Sequence, residues 1–360
     1  MVRVEQVSEL EEESLGDGVA SEMSAETGSS SESLIGSLRE RIRATLTPIL
    51  HGQTECALIG FPDSSNVGDS AIWLGELAWL KAAGVRVAYR CHDYSYVRHV
   101  LELSTRTGVI LFHGGGNLGD VWPRVQRFRE RVIRDFPDRP IVQLPQTIHF
   151  GDREALARAR SVFDSHPDFT ILVRDERSLE LARNEFRAAS ILSPDMAFFL
   201  GSIPRPRQPD LDVLWLRRTD VEAVGCAQVG SAIGTAGTDW LDSRTPALRH
   251  LRNALNTVAL RRPRRLAVLR RMSEATYDLQ ARQRMTFGCR LLARGRVVVT
   301  DRLHGHILCL LLGIPHVVLD NNYGKLRSFY RTWTHPAPQV RWVESAADAF
   351  TAAERLLGRH

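Results

Sequence analysis

The sequence predicts an α/β protein of two domains, each with a mostly parallel sheet, facing one another across a cleft. Three observations carry this prediction. Short apolar, often β-branched runs alternate with helical periods along most of the 360 residues. A stretch of prolines and arginines without periodicity, Pro204-Arg205-Pro206-Arg207-Gln208-Pro209, separates two such series. Several of the apolar runs end in clusters of glycine and ionisable residues, and the carboxyl ends of strands are where an open α/β sheet presents its chemistry.

Taken in order, residues 1–33 are rich in Glu and Ser and nearly free of aromatics, so they are expected to form a disordered acidic tail. A helix is predicted over 33–49, where Leu34, Leu38, Ile42, Leu46 and Ile49 recur at helical spacing. It opens an N-terminal domain over 34–203. Strands at 57–60, 85–89, 109–112, 141–144, 169–173 and 190–192 alternate there with helices at 70–83, 121–136, 153–163 and 176–186. The linker covers 204–210. A C-terminal domain over 211–345 starts with a strand at 213–216, and its Gly-, Ala- and Thr-rich segment 218–242 gives no clear assignment. Helices at 246–260 and 274–293, a strand at 297–300, a helix at 307–312 and a strand at 315–319 follow. A closing helix at 345–357 fills the last segment, 346–360.

Composition narrows the function classes. The net charge is +5, but residues 1–36 hold nine carboxylates against Arg3 alone, so the body carries +13. Lys81 and Lys325 are the only lysines. Codon bias accounts for most of that arginine excess, so weight falls on arginines in motif positions. The cysteines Cys56, Cys91, Cys226, Cys289 and Cys309 are scattered and show neither zinc-ligand spacing nor a disulfide framework. With no secretory leader and no apolar run near the roughly 20 residues that span a bilayer, the expected location is the cytoplasm.

Five strand-end motifs carry the chemistry. The first runs from Gly60 to Ser70 and holds Asn66, Gly68 and Asp69. Asp69 or Ser70 can cap the following helix, or Asn66 and Asp69 can face the cleft with Asp69 polarising a hydroxyl. The second is His113-Gly114-Gly115-Gly116-Asn117. Its glycines allow backbone N–H groups to converge on an anion, and it matches neither the dinucleotide fingerprint nor a Walker loop. The third places Arg174 at the end of a strand, with Asp175, Glu176 and Arg177 opening a helix. The fourth, Ser193-Pro194-Asp195, supplies a carboxylate that either lines the cleft or caps a turn.

The fifth is the most concentrated: Val297-Val298-Val299-Thr300 leads straight into Asp301-Arg302-Leu303-His304-Gly305-His306. An arginine and a histidine at a helix start suit a small, multiply charged anion. His306 is expected to face elsewhere. Lys325, in the loop after the next strand, either reaches a phosphate or stays solvated.

In this order, the N-x-G-D, H-G-G-G-N, R-D-E-x-S, S-P-D and D-R-L-H-G motifs resemble the polysaccharide pyruvyl transferase family over roughly residues 55–325. That resemblance implies two Rossmann-like domains in a GT-B-like arrangement. It implies transfer of the enolpyruvyl carbons of phosphoenolpyruvate to two hydroxyls of a sugar, as a cyclic ketal. By the same resemblance Arg174, Arg302, Leu303 and His304 bind phosphoenolpyruvate. Asn66, Gly114, Gly115, Gly116, Asn117, Asp195 and Lys325 complete the expected binding set. Asp69 and His304 are the expected catalytic pair. No metal and no cofactor are expected. The family's acceptors include lipid-linked saccharides, and the basic stretch Arg261–Arg271 offers either a contact with anionic headgroups or a solvated face. Aromatics are not interleaved with the arginines, which argues against nucleic acid. Two rival readings are a nucleotide-sugar glycosyltransferase of the same shape and a non-catalytic glycan- or anion-binding protein.

Overall fold

The computed structural model describes residues 31–218, 235–241, 246–261, 267–320 and 324–358. The expected acidic tail lies outside the described residues up to residue 30. So do Cys226, the middle of the basic stretch at 262–266, and residues 321–323.

The first helix, α1, covers 31–49. Its buried stripe is Ile35, Leu38, Ile42 and Leu46, continued by Leu50, while Leu34 and Ile49 sit at the margin. Each fully buried side chain of this kind contributes about 1.5–3 kcal/mol.

Seven parallel strands form the first sheet: β1 (Glu55–Ile59), β2 (Arg86–Cys91), β3 (Val109–Phe112), β4 (Gly115–Gly119), β5 (Ile141–His149), β6 (Phe169–Val173) and β7 (Ala189–Leu192). Their order is β2-β1-β3-β5-β6-β7. β4 pairs with the far half of β5, so it resumes the line of β3 after an interruption at His113-Gly114. Helices α2 (Val67–Ala82), α3 (Arg98–Ser104), α4 (Pro123–Asp135), α5 (Arg153–Asp164) and α6 (Glu176–Glu185) connect the strands. A short 3-10 turn, Met196–Leu200, leads out.

The second sheet has five parallel strands in the order β12-β11-β10-β8-β9. They are β8 (Leu211–Leu216), β9 (Thr235–Thr238), β10 (Gly295–Thr300), β11 (His316–Val318) and β12 (Val340–Trp342). Its helices are α7 (Pro246–Arg261), α8 (Ala267–Leu292), α9 (Leu303–Leu311), α10 (Lys325–Phe329) and α11 (Ala346–Leu356).

One large apolar cluster reaches both sheets: Leu58 and Leu111 from the first and Leu214 and Val298 from the second join side chains of α2, α8 and α9. The outer faces have their own clusters, one closed by Val132, Val162 and Leu179, the other by Ala349 and Ala353 of α11. In each sheet the chain reverses its direction of winding once, between β1 and β3 and between β8 and β10. Such switch points open a crevice at the carboxyl ends of the strands. The first, second and fifth motifs leave β1, β3 and β10, so the sequence places its polar corners at both switch points.

Candidate active site

The site is built from five strand ends. Arg174 follows β6 and is nearly buried. Its Nε donates to Thr147 Oγ1 at 2.9 Å, and its Nη1 donates to Asp195 Oδ2 at 2.6 Å. Thr147 in turn donates to Asp175 Oδ2 at 2.9 Å, and Asp175 caps α6 by accepting from Ser178 N. Trp333 Nε1 donates to the Arg174 carbonyl at 2.9 Å, so both ends of the residue are fixed. Nη2 points toward Gly116, where a side chain would begin 3.0 Å from it.

Asp195 is the hub. One oxygen caps the 3-10 turn through Ala197 N at 2.8 Å, and the other serves both Arg174 Nη1 and His304 Nε2, the latter at 3.3 Å. Burial by itself raises this carboxyl, yet His304 and Arg174 together outweigh it and hold the group well below the usual carboxylate range. Buried and contacted by three donor groups, Asp195 positions the Arg174 guanidinium and the His304 ring. Of the two roles the sequence offers it, the turn cap is the one seen here.

His304 lies in the first turn of α9, which begins at Leu303 and not at residue 307 as the apolar run suggested. No side chain caps this helix, and Arg302 occupies the cap position with extended backbone. The first N–H groups of α9, including that of Leu303, therefore lie at the carboxyl end of β10. Arg302 is buried and its Nη2 donates to Asp239 Oδ2 at 2.6 Å. Its neighbour Asp301 turns away and accepts from Arg218 N at 3.0 Å. His306 also turns away, into a buried pair with His316 at 2.7 Å.

The first motif meets the fifth across the interior. A methyl group on Gly68 would stand 2.5 Å from both Cγ and Nδ1 of His304, so only glycine allows this approach. The cap of α2 is Asn66, whose Oδ1 accepts from Gly68 N at 3.1 Å; neither Asp69 nor Ser70 does this work. Asp69 is half-buried and accepts from Ser64 Oγ at 2.8 Å, next in sequence to the glycine that meets the imidazole.

The glycine run is not a free anion nest along its whole length. Gly114 N donates to Glu76 Oε1 at 2.7 Å, and His113 Nδ1 donates to the other oxygen of that buried carboxylate at 2.8 Å. Asn117 Oδ1 accepts from Arg129 Nη2 and Gln146 Nε2, while Asn117 N donates to Gln146 Oε1. Gly115 opens β4 beside Gln146 of β5, and Gly116 lies against Arg174 Nη2. Lys325 opens α10 and is buried rather than solvated, with its Nζ 3.9 Å from where a Gly116 side chain would start.

Arg174, Asp195, His304, Gly68, Gly116 and Lys325 thus share one locality, with Arg302 two residues from His304. Thr147, Glu76 and Asp239 were not singled out from the sequence, because each acts through a partner far away in the chain. Among the described residues no group of three His, Cys, Asp or Glu side chains could hold a metal ion. No helix there is long and apolar enough to cross a membrane.

Cationic side chains beside an uncapped helix start, at the strand ends of a parallel α/β protein, are an arrangement that suits a small anion. Comparison with known proteins makes the class specific. The profile of the polysaccharide pyruvyl transferase family matches residues 66–260 and 288–323, and the chain belongs to that family. It is 35% identical over 307 residues to Pyruvyl transferase 1 of Schizosaccharomyces pombe, covering 79% of this chain and 71% of that one. It is 32% identical over 319 residues to the Putative pyruvyl transferase EpsO of Bacillus subtilis, covering 86% of this chain and 95% of that one. The fold is similar to that of a functionally uncharacterized protein from Klebsiella pneumoniae, with a TM-score of 0.55, 17% identity, and 86% and 99% of the two chains covered. The protein is an enzyme of the pyruvyl transferase class, and its family acts on polysaccharides.

Proposed function

We propose that the enzyme takes phosphoenolpyruvate as donor and joins its three-carbon unit to two hydroxyls of one sugar in a cell-surface or exopolysaccharide precursor. The observation that carries this reading is the placement of Arg174, Arg302 and His304 around the uncapped start of α9. The donor has a carboxylate and a phosphate on one small frame, and each charge-assisted contact to it is worth about 1.5–3 kcal/mol. Lys325 and the N–H groups of Gly115, Gly116 and Leu303 add donors at the same place. The two sheets are read as two domains, over 34–203 and 211–345, facing a cleft in a GT-B-like arrangement and joined by the 204–210 linker.

The chemistry balances without a redox partner or a cofactor. The methylene carbon of the donor gains a proton, which leaves an oxocarbenium-like centre at the adjacent carbon. One sugar hydroxyl adds to that centre and loses its proton. The carbon–oxygen bond to phosphate then breaks, and the second hydroxyl adds to close the ketal. The two hydroxyl protons replace the one taken up by carbon and the one that departs with phosphate. In this scheme His304, oriented by Asp195, is the acid for the leaving phosphate. Arg174 and Arg302 clamp the anion, and Asp69 polarises the acceptor hydroxyl. The acceptor is read as lipid-linked, with the enzyme at the cytoplasmic face of the membrane.

Calorimetric titration tests the donor. Phosphoenolpyruvate is expected to bind the wild-type protein, and Arg302→Ala is expected to abolish the signal. Binding of UDP- or GDP-sugars with no response to phosphoenolpyruvate would overturn the reading in favour of a glycosyltransferase.

A further inference from the structure

β2 is the edge strand of the first sheet, and α3 and α8 stand apart over that edge. They leave a groove of about 900 Å³. Five arginines line it (Arg86, Arg90, Arg106, Arg270 and Arg271) against two acids, Glu274 and Asp278. Arg270 pairs with Glu274 at 2.5 Å and Arg90 with Asp278 at 3.7 Å, so the acids are used up inside the groove. Arg270 also donates to the Ala88 carbonyl at 3.4 Å, which blunts the strand edge against pairing with another chain. Arg106 and Arg271 are exposed and have no acidic partner among the described residues.

The lip of this groove is apolar where a solvated surface would be polar. Along α8, Val268, Met272 and Leu279 are 69%, 53% and 46% exposed. Their spacing of four and seven residues puts them on one stripe, with Ala275 of the groove wall between them. Leu103 of α3 adds a fourth exposed apolar side chain on the opposite wall. A cationic trough beside an exposed apolar stripe combines the two signals that peripheral binding to a bilayer requires. A soluble polyanion would use the arginines and gain nothing from Met272 or Val268.

We infer that this face, between α3 and α8, docks on an anionic bilayer, with phosphate-bearing headgroups over Arg106 and Arg271 and the α8 stripe in the interface. The inference rests on the peripheral-contact part of the reading above and not on the transfer chemistry, so docking and turnover are measured separately. None of these residues touches the machinery around His304.

The test is co-sedimentation of the full chain with vesicles of phosphatidylcholine alone and with 30 mol% (about one lipid in three) phosphatidylglycerol. Binding only to the anionic vesicles is expected, weakened at least tenfold by Arg106→Glu with Arg271→Glu and also by Val268→Ser with Met272→Ser. Turnover on a water-soluble acceptor is expected to be unchanged in both variants. No partition into anionic vesicles overturns the inference. So does partition that the α8 stripe variant leaves intact, since that is the behaviour of a site for soluble polyanions. Loss of turnover in a variant that still binds vesicles would instead overturn the separation of this face from the active site.

Discussion

The ring of His304 lies against Gly68, so that a methyl group at residue 68 would stand 2.5 Å from its Cγ and Nδ1. Two distant stretches of sequence meet at that contact: the start of α2 in one sheet and the start of α9 in the other. Nε2, on the other side of the ring, faces Asp195 at 3.3 Å. The imidazole is therefore held between a backbone and a carboxylate. Gly68→Ala is expected to push the ring out of this slot. A displacement of about 1 Å at a reacting group costs on the order of 10²-fold, so kcat/KM should fall by about that factor while the fold survives. Gly36→Ala is the matched control, because nothing lies within 4 Å of that position on α1. It should leave turnover unchanged and raise stability by about 0.5–1 kcal/mol. Steady-state kinetics and thermal melts on both variants read the comparison.

Asp195 has two separable jobs. As a charge it balances Arg174; as an acceptor it meets His304 Nε2 and caps the turn through Ala197 N. Asp195→Asn keeps an acceptor and loses the charge, so it should fold and lose about 10²–10⁴-fold in kcat through misdirected imidazole chemistry. Both variants take the counterion from the buried Arg174 guanidinium, and Asp195→Ala also removes every acceptor for Arg174 Nη1 and Ala197 N, so it should be the less stable of the two. Breaking a buried pair from one side costs about 3–5 kcal/mol, and denaturant melts should register it. Equal stability in the two variants would contradict this division.

The strand-end chemistry was legible in the sequence because ionisable clusters directly after β-branched runs have few structural explanations. Arg174, Arg302 and His304 were found that way. What was lost depended on partners distant in the chain. The apolar run of β5 ends at Leu144, and the Pro145 that follows has no ladder donor. The strand continues to His149 because a register shift between Gln143 and Gln146 absorbs the proline. That hid Thr147, which steers Arg174. β4 (Gly115–Gly119) has no strand-forming composition, and pairs only because the far half of β5 offers it a ladder. Asp239 sits in a segment without periodicity, and nothing local announces that it holds Arg302. The start of α9 was placed four residues late, because its first turn carries the polar site and breaks the apolar pattern.

Two buried histidines predict how stability depends on pH. His316 Nδ1 donates to the Ile314 carbonyl at 2.8 Å, which leaves its Nε2 as an acceptor. His306 Nδ1 then donates to that nitrogen at 2.7 Å, and Thr334 Oγ1 donates to His306 Nε2 at 2.8 Å. The network accommodates only neutral rings. Burial lowers His316 from 6.5 to about 4, and burial with the neighbouring ring lowers His306 well below its ordinary value. Below pH 6.5 the unfolded chain therefore binds protons that the folded one refuses, and stability is lost as pH falls toward 4. Each histidine contributes a slope of up to about 1.4 kcal/mol per pH unit in that window. Asp93, Glu274 and Asp301, raised by burial, pull the other way. The reading is therefore the difference between wild type and His316→Gln. The variant should be less stable at pH 7 and show a flatter pH dependence between 4 and 6.5 in urea melts. An unchanged slope would place the protonation elsewhere.

Arg302 and Asp239 make the last test, because they separate charge from shape at the proposed donor site. The Arg302 guanidinium is almost fully buried and its Nη2 is committed to Asp239 at 2.6 Å. That contact fixes the plane of the group, and a planar fork matches a carboxylate or phosphate edge where an ammonium does not. Arg302→Lys keeps the charge and loses the fork, so phosphoenolpyruvate binding should weaken by about 10–100-fold, with less effect on kcat than on KM. Asp239→Asn keeps a hydrogen-bond acceptor and removes the competing carboxylate. It should leave the protein folded and change donor affinity less than Arg302→Lys does. If Asp239 merely neutralises a structural arginine, the order reverses: Asp239→Asn would then destabilise the protein in melts, and Arg302→Lys would leave the titration with phosphoenolpyruvate unaltered.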